Sequence, residues 1–212
     1  MDNGNERSGA RGKGARGKGG SNGNRRRAPR KPTPEWLERA ALYYLERYAS
    51  SAGNLGRVLM RKIDRAVRYH GGEAADWAPA VAALVERFVE SGILDDRRYA
   101  EGRARSLFRQ GVPARAIHRR LAMKQVAAAD IEAAIAATAE EAGLGQAASR
   151  DEFDLRAAIV QARRRRIGPF GPQAGREDRR ARELAALGRA GFSYDLARRV
   201  VEAPDPAALE EE

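Results

Sequence analysis

Asp95 and Asp96 are adjacent carboxylates that could take part in catalysis or metal binding. Paired acids can bind a divalent cation or work as a general acid and base. These two stand just before an apolar stripe with helical spacing. Acids at a helix start accept hydrogen bonds from free amides and face the positive end of the helix dipole. The sequence therefore predicts that both are structural caps.

The other groups that support catalysis or metal binding are absent or isolated in the sequence. There is no Cys, and neither His70 nor His118 has a His, Cys or acid neighbour at ligand spacing. The Gly-rich residues 14–21 (GARGKGGS) lack the Ser or Thr that follows Gly-Lys in a phosphate loop, and no strand precedes them. We expect no catalytic residues, no metal and no cofactor, hence a protein that is not an enzyme.

Arginine stripes are the more promising groups, because a guanidinium can bind carboxylates or phosphates in a bidentate manner. Three lie at i, i+7 and i+11 on a predicted fourth helix, two share a face of the fifth, and four end the seventh. The candidate partner-binding residues are Arg98, Arg105, Arg109, Arg115, Arg119, Arg163, Arg164, Arg165 and Arg166. The alternative is a solvated face, tied up in part by pairs such as Glu101–Arg105 at i,i+4 spacing.

Apolar residues recur with helical spacing from Thr33 onward and predict an all-α fold of nine helices. Thr33 and Pro34 suit the start of the first helix, and Asn54 is the predicted cap of the second. Ser149 and Glu152 have the spacing of a capping box. No run of alternating β-branched residues predicts a strand.

The predicted helices group in threes. Residues 121–126 (LAMKQV) and 187–192 (LGRAGF) share a core Leu that precedes a turn apolar residue by five positions. Units that contact mainly their neighbours stack into an extended body. We therefore expect three tandem three-helix repeats in an elongated, curved body, over residues 33–94, 95–142 and 149–203, followed by an acidic C-terminal tail over 204–212.

The positive charge is concentrated at the N-terminus. The chain carries +11, of which residues 1–34 supply +8 through ten Lys or Arg against Asp2 and Glu6. Residues 1–32 hold too few apolar side chains to offset the entropy of ordering, which predicts a disordered basic tail. Such a tail can contact nucleic acid weakly and without sequence preference, or act only as a solubilising segment. No segment is apolar enough to span a bilayer or to act as a secretory signal, so we expect a cytoplasmic monomer.

Residues 92–100 (GILDDRRYA) resemble the signature of the RecX family, a Gly-apolar-Leu-Asp-Asp element followed two residues later by an aromatic residue and Ala. Residues 153–192 are similar to the third repeat of that family, and the resemblance extends over about residues 35–203. Positions that match its second repeat are Arg109, Gln110, Gly111, Ile117, Leu121, Lys124 and Val126. The chain departs from the family at Gln125, where Gly is usual, and in residues 168–175, which look like an insertion.

The resemblance implies a fold of three tandem three-helix repeats and a regulatory function. RecX proteins bind RecA, lodge in the groove of its nucleoprotein filament and limit filament extension, ATP hydrolysis, strand exchange and co-protease activity. The expected partners are thus RecA and the RecA–DNA filament. The residues by themselves leave open a basic, helix-turn-helix-like nucleic-acid-binding protein, although no helix shows a clear base-reading set.

Overall fold

The computed structural model of the protein describes residues 28–145 and 148–209. These residues form nine α-helices and no strand, which confirms the predicted all-α fold. Most of the predicted basic tail, residues 1–27, lies outside the described residues. The helices are α1 (Pro34–Leu45), α2 (Ala52–His70), α3 (Ala78–Glu90), α4 (Asp96–Phe108), α5 (Ala114–Ala122), α6 (Ala128–Glu141), α7 (Arg150–Arg165), α8 (Arg176–Ala190) and α9 (Tyr194–Glu202). None of them is long and apolar enough to cross a membrane.

Polar residues at the helix starts set where the helices begin. The Thr33 hydroxyl accepts a hydrogen bond from the Trp36 amide at 3.1 Å, and Ser149 and Glu152 form a complete capping box. The prediction that Asn54 caps α2 is wrong. Ser51 has the extended backbone of a cap, and its hydroxyl accepts from the Asn54 amide at 3.3 Å. Asn54 instead lies buried inside the first turn of α2.

Two separate hydrophobic cores hold the helices together. The first is built by α1, α2 and α3 around residues such as Leu37, Leu59 and Phe88. The second runs without a break through α4 to α9, from Ala100 to Leu209. Leu209 lies in the stretch predicted to be an acidic tail, yet its side chain is buried. The described chain is exposed over residues 204–208 and returns to the core at Leu209.

Five successive helices, α4 to α8, end in the same turn. A residue with positive φ follows the helix, and the amide of the next, apolar residue donates to the carbonyl five positions back. The five donor–acceptor pairs are Val112–Leu107, Val126–Leu121, Leu144–Ala139, Ile167–Ala162 and Phe192–Leu187, at 2.9 to 3.3 Å. The sequence match between residues 121–126 and 187–192 is thus a match of helix ends. Gly holds the positive-φ position in three of these turns, and Gln125 and Arg166 hold it in the other two.

Helices α2, α5 and α8 form a head-to-tail row. The C-terminal turn of α5 lies on the N-terminus of α2, so closely that a Cβ built on Gly53 would lie 2.5 Å from the Cβ of Gln125. The C-terminal turn of α8 lies on the N-terminus of α5 in the same way. There a Cβ on Gly191 would lie 3.4 Å from Pro113 and 3.8 Å from Ala116. This row positions the candidate site described next.

Candidate partner-binding cleft

A cleft of about 500 Å³ opens between α5, α7, α8 and the turn after α4. Five arginines line it, and no Asp or Glu does; we call it the arginine cleft. Its lining residues are Gln110, Gly111, Val112, Ala116, Arg119, Arg120, Gln161, Arg164, Arg165, Ala186, Arg189 and Ala190. The cleft is therefore a concave surface that carries positive charge without a counter-charge in its own wall.

Close packing at Gly111 brings α7 against the turn after α4. Gly111 has φ +76°, and a Cβ there would lie 2.6 Å from the backbone nitrogen of Gln161. Any larger residue would push α7 away from this turn. Arg164 then reaches across, and its Nη1 donates to the Gln110 carbonyl at 2.9 Å. These contacts fix the wall of the cleft on the α7 side.

The remaining arginines of the cleft keep their guanidinium groups available. Within the described ranges, the guanidinium groups of Arg119, Arg120, Arg165 and Arg189 form no ion pair or hydrogen bond. Their side chains are exposed. Two or more guanidinium groups facing one cleft can bind the carboxylates of an acidic segment or a phosphate group, each with charge-assisted hydrogen bonds.

The structure brings three of the nine predicted arginines, Arg119, Arg164 and Arg165, into this cleft. Two neighbours in the run at the end of α7 lie elsewhere. The guanidinium of Arg163 lies over the Phe170 ring, 5.4 Å from its centroid, and Arg166 takes the left-handed conformation that ends α7.

The predicted stripe on α4 does not line the cleft. Arg98 and Arg109, at the two ends of α4, are exposed and lie outside the arginine cleft. Arg115 on α5 is also exposed and outside the cleft. The predicted Glu101–Arg105 pair is wrong, because α6 lies beside α4 and supplies Glu141. The Arg105 side chain pairs with that carboxylate at 3.4 Å.

Two lining arginines, Arg120 and Arg189, were not among the predicted residues. Arg120 follows directly after Arg119, and both side chains line the cleft. Arg189 stands in the last turn of α8, two residues before Gly191. The sequence match between residues 187–192 and 121–126 predicts a helix end here. It does not predict which other helix this end contacts. Only the contact of the C-terminal turn of α8 with the N-terminus of α5 places Arg189 in the cleft.

The two adjacent acids have different partners. Asp95 caps α4, and its carboxylate accepts from the Arg98 amide at 2.9 Å. Asp96 instead accepts from the Ala52 amide of α2 at 2.7 Å. Burial raises the pKa of Asp96, and the hydrogen bond from Ala52 offsets this only in part. Over residues 28–145 and 148–209, no three His, Cys, Asp or Glu side chains cluster where a metal could bind.

Asp154 on α7 makes the same kind of contact with the start of α5 that Asp96 on α4 makes with the start of α2. Its carboxylate accepts from the Ala114 amide of α5 at 2.7 Å. Burial raises the pKa of Asp154 as well, while the Ala114 amide and Arg150 lower it by less. The N-terminus of α2 and the N-terminus of α5 are thus each completed by a carboxylate from a helix 40 or more residues later.

The chain is similar to two curated proteins named Regulatory protein RecX. The protein of Myxococcus xanthus (strain DK1622) is 42% identical over 175 residues, which cover 82% of this chain and 88% of that protein. The protein of Agrobacterium fabrum (strain C58 / ATCC 33970) is 30% identical over 171 residues, which cover 78% and 82%. Residues 95–135 match the family model for the second three-helix domain of RecX. No solved structure matches the chain significantly.

Proposed function

The chain belongs to the RecX family of regulatory proteins, and on that premise we propose that it binds RecA and the RecA–DNA filament. Bound there, it limits filament extension, ATP hydrolysis, strand exchange and co-protease activity. It acts in the cytoplasm, in DNA repair, the SOS response and homologous recombination. The mechanism is occupation of a surface, which needs no catalytic group and no cofactor.

The arginine cleft is the observation that carries this proposal. It is concave, it is lined by five arginines and it contains no acid of its own. An acidic segment of a partner protein would supply the missing negative charge. Charge-assisted pairs between guanidinium and carboxylate are stronger than neutral hydrogen bonds, and more so where the cleft excludes water. Arg119, Arg164 and Arg165 are the predicted partner-binding residues that this role retains.

Three stacked units, residues 33–94, 95–142 and 149–203, provide the extended surface that such binding uses. Two features repeated at both junctions support this division. One is a carboxylate that completes the N-terminus of a helix in the preceding unit, from Asp96 and again from Asp154. The other is the head-to-tail row of α2, α5 and α8. Contacts that recur from one unit to the next favour stacking of the units in one direction.

The test is RecA's DNA-dependent ATPase, titrated with the full chain and with charge variants. We expect inhibition near one chain per RecA. The variant Arg119→Glu/Arg165→Glu should need about tenfold more protein for half-inhibition, the equivalent of about 1.4 kcal/mol of lost binding. Neither arginine bonds within the described fold, so this variant should fold normally. The matched control is Arg103→Glu/Arg156→Glu, two exposed arginines outside the arginine cleft, with the same change in net charge.

A variant that lacks residues 1–27 should inhibit as well as the full chain. The deletion stops before Pro29, whose carbonyl contacts His70, and before the buried Pro32. Unchanged ATPase at every ratio of full chain to RecA would refute the proposal. Equal loss of inhibition in the cleft variant and the control would remove the arginine cleft from it.

A further inference from the structure

A second basic surface lies on α2, remote in sequence from the arginines of the cleft. Arg61, Arg65 and Arg68 stand at i, i+4 and i+7, which places them on one side of the helix. We call these three residues the α2 ridge. All three side chains are exposed, and within the described part of the chain none of their guanidinium groups forms an ion pair or hydrogen bond. Asp64 lies among them, and Glu86 lines a neighbouring cleft together with Arg57 and Arg61, so this side of α2 keeps an excess of positive charge.

An exposed aromatic side chain continues the ridge. Tyr69 follows Arg68 directly and keeps 63% of its surface exposed. Its ring meets the His70 ring edge to face, with centroids 4.9 Å apart and planes at 75°. His70 is held in turn, because its Nε2 lies 2.6 Å from the Pro29 carbonyl oxygen. The Tyr69 ring therefore packs against the His70 ring, while most of its own surface is exposed to solvent.

The N-terminal segment joins the body beside the ridge. Pro29 lines a cleft of about 490 Å³ together with ridge residues, Asp64 and Tyr69. Pro29 therefore lies where the ridge ends. Residues 1–27, which precede it in sequence, contain eight Lys or Arg against two acids.

We propose that the α2 ridge and Tyr69 form a binding surface for single-stranded nucleic acid. Arg61, Arg65 and Arg68 bind backbone phosphates, and Tyr69 stacks on an unpaired base. Surfaces of this kind combine a basic track with an aromatic platform, because every base has a face on which a ring can stack. An acidic protein surface would use the arginines but would gain little from the exposed ring.

The first experiment measures binding of a fluorescein-labelled 20-nucleotide oligo(dT) to the full chain by anisotropy, without RecA, over a series of salt concentrations. The variant is Arg65→Ala/Arg68→Ala, and the control is Arg103→Ala/Arg156→Ala, which removes the same charge elsewhere. The slope of log affinity against log salt should become shallower by about 1.4 in the ridge variant, at about 0.7 per phosphate contact. The control should keep the original slope. Equal slopes for the two variants would overturn the proposal.

The second experiment tests the aromatic platform at one fixed salt concentration. Tyr69→Ala should weaken oligo(dT) binding about tenfold, whereas Tyr69→Phe, which keeps the ring, should stay within about twofold of the original. Loss of affinity in both variants, or in neither, would contradict base stacking. Thermal melts followed by circular dichroism check that every variant folds.

Competition separates nucleic acid from an acidic protein as the ligand. Poly(glutamate) at equal total charge should displace the oligonucleotide much less well than unlabelled oligo(dT). Equal displacement would assign the α2 ridge to acidic protein surfaces and overturn the assignment to nucleic acid. Because RecA is absent from these assays, a failure here would leave the inhibition expected of the arginine cleft untouched.

Discussion

The carboxylate of Asp96 accepts a hydrogen bond at 2.7 Å from the backbone amide of Ala52, a residue 44 positions earlier in the chain. The first amides of a helix have no partner within it, and a cap normally comes from the residue just before the helix. Here Ser51 supplies that local cap, and Asp96 satisfies a second amide from the start of α4. Helix α2 is therefore completed only when α4 is in place.

Replacing Asp96 by Ala should lower the free energy of unfolding by about 1–2 kcal/mol, because the half-buried Ala52 amide loses its acceptor. Asp96→Asn keeps an acceptor oxygen and should lose less. Urea unfolding followed by circular dichroism measures both changes. Asp151→Ala is the matched control, since Asp151 is an exposed acid in the first turn of α7. A loss as large in the control would show that the bond to Ala52 does not stabilise the fold.

The unfolding free energy should depend on pH through Asp96 and Asp154. Burial raises the pKa of both carboxyls in the folded chain, so the folded state binds these protons more tightly than the unfolded state. The part of their contribution that depends on protonation is complete below the ordinary Asp value of 3.8 and is lost as pH rises through the raised pKa. The hydrogen bonds from Ala52 and Ala114 remain when the carboxyls are ionised. Relative to the Asp96→Asn/Asp154→Asn variant, the original chain should gain stability as pH falls from neutrality.

Urea titrations of both proteins across this pH range provide the measurement. Exposed acids whose pKa is lowered, such as Glu202 between Arg180 and Arg198, affect both proteins alike and cancel in the difference. Parallel curves for the two proteins would show that burial does not govern these carboxyls.

Gly53 and Gly56 offer a matched pair of substitutions in one helix. A Cβ at Gly53 would collide with the Cβ of Gln125, so Gly53→Ala should destabilise the protein by about 1–3 kcal/mol through overpacking. A Cβ at Gly56 meets nothing within 4 Å. Gly56→Ala should therefore stabilise α2 by up to about 1 kcal/mol, because Ala has the higher helix propensity. The same sign for both in thermal unfolding would contradict the close packing of α5 on α2.

Gln125 occupies a left-handed position, with φ +61°, in the turn that ends α5. A side chain there costs about 1–2 kcal/mol relative to the right-handed conformation, a cost that Gly avoids. Gln125→Gly should thus be more stable to urea than Gln125→Ala by about 1 kcal/mol. Both variants lose the Gln side chain beyond Cβ, and the Ala variant keeps the strained backbone. Equal stability of the two variants would mean that the backbone conformation carries no cost.

The sequence was sufficient for the helices but not for the contacts between them. Periodicity predicted nine helices, and the capping pattern at Ser149 and Glu152 predicted the start of α7, because both signals lie within a few neighbouring residues. The partner of Asp96 is 44 residues away. No local pattern encodes that distance, so the carboxylate was interpreted only as a cap of its own helix.

The arginine cleft shows the same limit. From the sequence alone, the arginines on α4 and those at the end of α7 are equally good candidates for partner binding. Packing distinguishes them, because α6 brings Glu141 to Arg105, while α8 adds Arg189 to the cleft that Arg165 lines. Which arginines are paired with a neighbouring carboxylate depends on which helices lie side by side. That arrangement follows from the buried faces of all the helices together.

The two junctions between successive three-helix units differ in the kind of contact that holds them. At the first, near Ser51, the two cores share no residue, and polar groups bridge them: Ser51 donates to the Lys124 carbonyl, and Lys124 donates to Asn54 at 3.1 Å. The second junction lies inside one continuous core. Opening the first breaks hydrogen bonds that water can replace, whereas opening the second exposes hydrocarbon. We therefore expect the chain to flex at the first junction and to stay rigid at the second.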